Sequence, residues 1–117
     1  MQIIDDILNE RREQYGDFLN RSKISQDFKT LIHNGSSYRL LKADQKEALE
    51  MIATKMGRIV NGDPDYLDSW LDIQGYCQLV IDRVRQDKID ADNAIDMYVV
   101  EGVPKETAIQ LQRSDDE

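Results

Sequence analysis

The segment 44–60 constrains the fold most, because its apolar residues recur every three or four positions. At about 100° per residue in an α-helix, these residues share one face. That face comprises Ala48, Leu49, Ile52, Ala53, Met56, Ile59 and Val60. The opposite face comprises Glu47, Glu50, Thr54 and Arg58. The pattern predicts an amphipathic helix.

The same helical spacing predicts three further helices, over 2–14, about 22–33 and about 64–86. Asp63 is expected to be the N-cap of the last of these, with Pro64 in its first turn. Glycines in the intervening segments favour chain breaks there. Almost no alternating strand pattern occurs, so the sequence predicts an all-α fold.

The predicted helix over 64–86 carries an apolar stripe that is expected to face the core. The stripe comprises Leu67, Trp70, Gln74, Cys77, Ile81 and Val84. Gly75 lies inside this helix, where glycine costs about 1 kcal/mol relative to alanine. Its presence there indicates the close approach of another backbone or of a ligand.

The remaining segment predicts two short helices joined by the turn 101–104. We therefore expect a helical domain over 1–87, a C-terminal helical hairpin over 88–112 and an acidic tail over 113–117. The hairpin is expected to pack on its own chain or to mediate oligomerisation.

The charge of the chain narrows its possible partners. The net charge is −8 and the sequence pI is about 4.6, so direct binding to nucleic acid is not expected. Cys77 is the only cysteine, which excludes an intrachain disulfide and fits a reducing compartment. No signal peptide and no apolar segment of about 20 residues is present, so we expect a cytoplasmic protein without a membrane anchor.

Pairs of acidic residues mark two neighbouring predicted helices. Glu47 and Glu50 precede the short connection 61–63, and Asp68 and Asp72 follow it. Short connections join antiparallel neighbours, so the four carboxylates are predicted to converge if their faces meet. Converging carboxylates favour a hard cation such as Mg²⁺ or Mn²⁺.

Two basic residues follow the first acidic pair along the same helix. Lys55 and Arg58 are placed to contact the phosphates of a nucleotide. The alternative interpretation is that all these acids belong to ordinary solvated helix faces. The spacing also permits the two acidic faces to point apart.

Four stretches carry a resemblance to a known family. They are EALE at 47–50, KMGR at 55–58, DSWLDIQGY at 68–76 and ERREQYGDF at 10–18. Residues 44–81, and more broadly 8–85, resemble the MazG-type all-α nucleoside triphosphate pyrophosphohydrolases, especially the small MazG-like proteins of phages. The resemblance implies a helical bundle with antiparallel central helices, working as a homodimer or homotetramer. For a phage-encoded chain it implies the host cytoplasm.

The resemblance also implies an activity and its residues. The family binds Mg²⁺ and cleaves nucleoside triphosphates to a monophosphate and pyrophosphate. Its E-x-x-E pair corresponds to Glu47 and Glu50, one of which would orient the attacking water. Its final acid corresponds to Asp72, and Tyr76 on the same face is expected to touch the nucleotide.

One position departs from the family pattern. Ser69 stands where the family carries a third acid, a glutamate. Asp68 shares a helix face with Asp72, about 40° away. Asp68 is therefore expected to take the place of the missing glutamate. The alternative is a catalytically inactive MazG-like phage protein that binds a host or defence protein or sequesters a nucleotide. The net charge of −8 and Ser69 favour that alternative.

Overall fold

The computed structural model describes the backbone of residues 2–100 and the side chains of residues 2–95. The described residues form four α-helices and one short 3-10 helix. They are α1 (Gln2–Tyr15), α2 (Phe18–His33), the 3-10 helix (Tyr38–Leu40), α3 (Ala43–Asn61) and α4 (Leu67–Val100). The described residues contain no strand, which confirms the all-α class.

The start of α4 differs from the sequence prediction. Asp63 begins a turn instead of the helix: its Oδ1 accepts the N–H of Asp65 at 2.9 Å. Its carbonyl oxygen accepts the N–H of Tyr66 at 3.2 Å. The Asp-Pro pair is therefore used by the turn, and α4 begins only at Leu67.

The end of α4 also differs from the prediction. The helix continues without a break through 88–92, where a new helix was expected, and reaches Val100. The predicted turn 101–104, the helix after it and the acidic tail 113–117 lie outside the described residues. The candidate hairpin over 88–112 is therefore described only in its first part.

The chain divides into two compact units, Met1–Val80 and Ile81–Glu117. The first unit holds α1, α2, α3 and the first part of α4. In the second unit, Arg83 Nη1 lies 2.9 Å from Asp87 Oδ2, and Gln86 donates to Asp90 at 2.9 Å. These spacings of four residues support the helix locally.

Within residues 2–95, helices α2 and α3 form an extensive helix pair, and α1 packs less extensively against both. The Ser25 hydroxyl of α2 donates to Thr54 Oγ1 of α3 at 3.4 Å. Gly57 lies at the closest approach, where a Cβ would meet the carbonyl oxygen of Arg21 at 2.8 Å. The polar side of α3 therefore packs on α2, and Ala48 and Ala53 of its apolar face are buried as well.

Two backbone segments cross tightly beside this helix pair. Gly16, between α1 and α2, has φ +82°, and a Cβ there would overlap the carbonyl oxygen of Asn61. A Cβ at Gly62 would overlap the carbonyl oxygen of Gln14. The Gln14 carbonyl accepts the N–H of Asp63 at 2.9 Å. The two glycines thus let the ends of α1 and α3 touch through their backbones.

Large apolar side chains remain exposed over the described part of the chain. The buried apolar residues there are Ala48 and Ala53. Leu67 is 63% exposed and Trp70 is 52% exposed, and Cys77 is also exposed, so the stripe of α4 does not face a core as predicted. The position of a Cβ on Gly75 is open, with no atom within 4 Å. Within the described residues, no helix has both the length and the apolar character needed to cross a membrane.

Candidate functional site

The two glutamates of α3 lie in different surroundings. Glu47 is exposed, whereas Glu50 is partly buried and places Oε1 3.4 Å from His33 Nε2. The His33 ring stacks on Tyr38 at 4.5 Å between centroids, and the Tyr38 hydroxyl lies 3.3 Å from the same Nε2. Glu50 is thus held at the end of α2, beside the 3-10 helix.

The two aspartates of α4 each have a partner outside their own acidic pair. Asp68 is exposed and accepts a hydrogen bond from the Tyr66 hydroxyl at 3.1 Å. Asp72 Oδ2 lies 2.9 Å from Lys55 Nζ. The Lys55 side chain is only 11% exposed, against 49% for Asp72. This ion pair joins α3 to α4 and gives the shielded ammonium group its counter-charge.

Arg58 and Tyr76 occupy two further parts of the first unit. The Arg58 guanidinium lies 4.5 Å from the centroid of the Tyr15 ring, within range of a cation–π interaction. Tyr76 is partly buried and borders an open depression of about 530 Å³ on α4, together with Asp72 and Gly75. Gly75 therefore faces open space, and the predicted close approach is not made within the described chain.

The predicted acidic residues form separate pairs in this structure. Among the described residues, no three Asp, Glu, His or Cys side chains are grouped so that they would hold a metal ion. Carboxylate oxygens have the right chemistry for Mg²⁺ or Mn²⁺. However, Glu50 faces His33 and Asp72 faces Lys55. The carboxylates are therefore suitable ligands for a divalent ion by their chemistry, but they are not arranged around one point as a coordination shell.

The burial of Ser69 limits which side chains its position can hold. Ser69 is 3% exposed, and its N–H donates to the carbonyl oxygen of Tyr66 at 3.2 Å. An ionised glutamate at this position would lose its hydration, which is costly without a paired charge. The small serine fits this place, and the neighbouring acid, Asp68, remains in solvent.

Asp68 changes the ionisation of its neighbour Tyr66. The hydrogen bond to Asp68 raises the pKa of the Tyr66 hydroxyl to about 12, from its ordinary 10.0. The negative charge of Asp68 adds to this effect, because a phenolate would stand beside a carboxylate. The Tyr66 ring also meets the Tyr15 ring edge to face, with centroids 5.6 Å apart.

We expect the ionisation of Tyr66 to give a phase near pH 12 in an alkaline titration followed by ultraviolet absorbance. Tyr66→Phe should remove this late phase. In Asp68→Asn the late phase should move back toward 10. Because the folded state holds this proton more tightly than the unfolded chain, stability should fall as pH rises from about 10 toward about 12. A late phase that survives Tyr66→Phe would contradict the assignment.

Two basic residues of α2 near Arg58 were not predicted from the sequence to be functional. Arg21 and Lys29 have the spacing of one helix face with Ser25, and this periodicity was the available signal. Arg21 and Lys29 lie near Arg58 because α2 and α3 pack closely at Gly57. Local sequence patterns do not encode such a contact between helices.

The first unit is thus an all-helical domain with separated acidic pairs and clustered cations. A family model described as a domain of unknown function (DUF6378) matches residues 2–84, and the chain belongs to this family. The matched segment includes every candidate site residue and ends before 88–112. Comparisons with curated proteins and with solved structures gave no match.

Proposed function

We propose that the protein is a metal-dependent nucleotide pyrophosphohydrolase that cleaves (d)NTPs to a monophosphate and pyrophosphate. The observation that carries the proposal is the ion pair of 2.9 Å between Lys55 and Asp72. It supports the proposal because it links the helix with the E-x-x-E pair to the helix with the second acidic pair. The corresponding fold is a MazG-like bundle with α3 and α4 as antiparallel central helices and an extra helical hairpin over 88–112.

The proposed metal ligands are Glu47, Glu50, Asp68 and Asp72, and the ion is Mg²⁺ or Mn²⁺. When bound, the ion supplies positive charge opposite the phosphate oxygens. If Asp72 held the ion, Lys55 would lose this counter-charge, and its ammonium group would be available to a phosphate oxygen. Lys55 is nearly buried, so its charge acts in surroundings of low dielectric constant.

The remaining roles belong to residues that surround the acids. Glu47 or Glu50 acts as the catalytic carboxylate, whose oxygen orients the attacking water and accepts its proton. Arg58 binds the phosphates, and Tyr76 contacts the nucleotide from the depression beside Asp72. Ring stacking on Tyr15 restrains the Arg58 guanidinium, which lowers the entropy lost when it binds a phosphate.

We further propose that the active form is a homodimer or homotetramer in the cytoplasm, or in the host cytoplasm for a phage-encoded chain. The exposed apolar side chains support this, since Ile3 is 75% exposed, Leu19 is 74% exposed and Leu79 is 68% exposed. Association of copies would remove part of this apolar surface from water, which is favourable. Light scattering should therefore give a mass of at least twice 13.6 kDa.

The test is the product analysis of a panel of ribo- and deoxyribonucleoside triphosphates with the purified chain. With Mg²⁺ or Mn²⁺ we expect equal amounts of nucleoside monophosphate and pyrophosphate, and none after chelation. Release of orthophosphate and a nucleoside diphosphate would reject the assignment, because the bond cleaved would be the wrong one. The absence of any cleavage across the panel would also reject it.

The second candidate is a catalytically inactive MazG-like phage protein that binds a host or defence protein or sequesters a nucleotide. The burial of Ser69, at the position where an active relative would carry an acid, favours it. In that case a bound nucleotide would be recovered unchanged after denaturation of the protein. Tight capture of a basic partner protein, without metal binding in calorimetry, would identify the protein-binding variant.

A further inference from the structure

We propose that a cleft between α1, α2 and α3 binds the oligophosphate chain of a small molecule. The cleft, here called the basic cleft, is a cavity of about 370 Å³. Its charged lining consists of Arg11, Arg21, Lys29 and Arg58, and no acidic residue lines it. This lining of four cations and no acid contrasts with the net charge of the whole chain, which is −8.

The cations of the basic cleft lack carboxylate partners within the described part of the chain. The Nε atoms of Arg21 and Arg58 are buried and have no hydrogen-bond partner there. Buried polar groups are normally paired, because an unpaired donor loses its hydration without compensation. A bound anion would supply the missing acceptors.

Aromatic rings hold the two guanidinium groups close together. Arg58 lies 4.5 Å and Arg21 lies 5.6 Å from the centroid of the Tyr15 ring. Arg21 also lies 4.9 Å from the centroid of Phe18. Guanidinium groups restrained in this way form a prearranged set of N–H donors, which suits the oxygens of a phosphate.

The electrostatics of Arg21 agree with this geometry. Burial lowers the pKa of its guanidinium from the ordinary value, and the positive charges of Arg58 and Arg11 lower it further. Tyr15 and Asp17 act in the opposite direction. The like charges therefore repel one another in the free protein, and an anion in the cleft would relieve that repulsion.

The size and continuation of the basic cleft indicate more than one phosphoryl group. A neighbouring cavity of about 340 Å³ shares Arg11 and Arg21, and it adds Arg12 and one acid, Asp17. Small-molecule sites usually begin at about 300 Å³. A chain of two or three phosphoryl groups matches both the volume and the number of cations, whereas the overall negative charge opposes a nucleic acid.

The basic cleft does not depend on the proposed hydrolysis. Arg58 has a role in both proposals. The other cations of the cleft, Arg11, Arg21 and Lys29, have no role in the proposed hydrolysis. Its polar wall includes Ser25, which is 6% exposed, and Thr54. Binding there needs no divalent ion, so the two proposals can be tested separately.

The test is calorimetric titration of the full chain with inorganic triphosphate, with a nucleoside triphosphate and with orthophosphate, in EDTA at low ionic strength. We expect saturable binding of triphosphate and much weaker binding of orthophosphate. Arg11→Gln and Lys29→Gln should each weaken triphosphate binding about fivefold or more, since each removes a charged donor. Lys23→Gln is the matched control, because Lys23 is an exposed residue of α2 outside the cleft lining.

The outcomes separate the sources of the ligand and the two proposals. Tighter binding of the nucleoside triphosphate identifies a nucleotide as the ligand, and equal binding identifies the oligophosphate chain alone; both support the basic cleft. No saturable binding, equal affinity for orthophosphate, or equal losses in Lys23→Gln and Lys29→Gln would overturn it. Binding in EDTA together with absent hydrolysis in Mg²⁺ would keep the basic cleft and reject the proposed enzyme.

Discussion

Replacing Gly16 with alanine is expected to lower the free energy of unfolding by roughly 2–6 kcal/mol. Gly16 has φ +82°, a conformation that an L-residue adopts only with strain. The new methyl group would also overlap the Asn61 carbonyl, which is backbone and has little freedom to move. Since domains of this size are stable by only about 5–15 kcal/mol, this loss is a large share of the total, and the midpoint of denaturant unfolding should fall clearly.

The matched control is Gly75→Ala, which makes the same chemical change at an open position of α4. Its Cβ would meet no atom within 4 Å, and alanine favours a helix interior over glycine. We expect this variant to gain up to about 1 kcal/mol of stability. Denaturant unfolding followed by circular dichroism measures both. Equal stability of Gly16→Ala and the parent chain would show that the crossing at Asn61 is not formed in solution.

This crossing also shows where sequence patterns stop being informative about the fold. Helix α3 was predicted over 44–60 and is observed over Ala43–Asn61, because its periodicity is a local property. The prediction that Asp63 and Pro64 begin α4 was wrong, because these two residue types also favour a turn. Gly16 was recognised as a break, but its contact with Asn61 joins distant parts of the chain.

The packing faces of α3 show the same limit. The helical wheel separates the polar from the apolar residues of α3, but it does not show which neighbouring helix each face meets. Small residues allow α2 to approach the polar side, where Ser25 meets Thr54 and Gly57 meets the Arg21 backbone. Helix approach depends on side-chain size at the contact as well as on polarity.

The candidate site was predicted in its local parts and not in its assembly. Spacing placed Glu47 near Glu50 and Asp68 near Asp72 because residues three and four apart share a helix face. Whether two faces meet depends on tertiary packing. Lys55 was predicted to meet a phosphate, and in this structure it meets Asp72. A lysine suits either partner, because its long flexible side chain brings the ammonium group to the nearest available anion.

Glu50→Gln is expected to reduce pyrophosphate release by roughly 10²–10⁴-fold, the usual contribution of a positioned general base. Glutamine keeps the shape of the side chain and a hydrogen bond to His33, so the fold should be unaffected. It removes the negative charge needed to bind a divalent ion and to accept a proton. Glu13→Gln, at an exposed position of α1, is the control and should retain full activity.

Asp72→Asn should show a comparable loss for a different reason, and the difference is measurable. It removes a proposed metal ligand and also leaves the nearly buried Lys55 without its counter-charge. We therefore expect a loss of stability in this variant and none in Glu50→Gln, which unfolding measurements separate from the loss of turnover. Full activity in both variants would exclude the carboxylates from catalysis. Loss in Asp72→Asn alone, in proportion to its unfolded fraction, would assign Asp72 a structural role as the partner of Lys55.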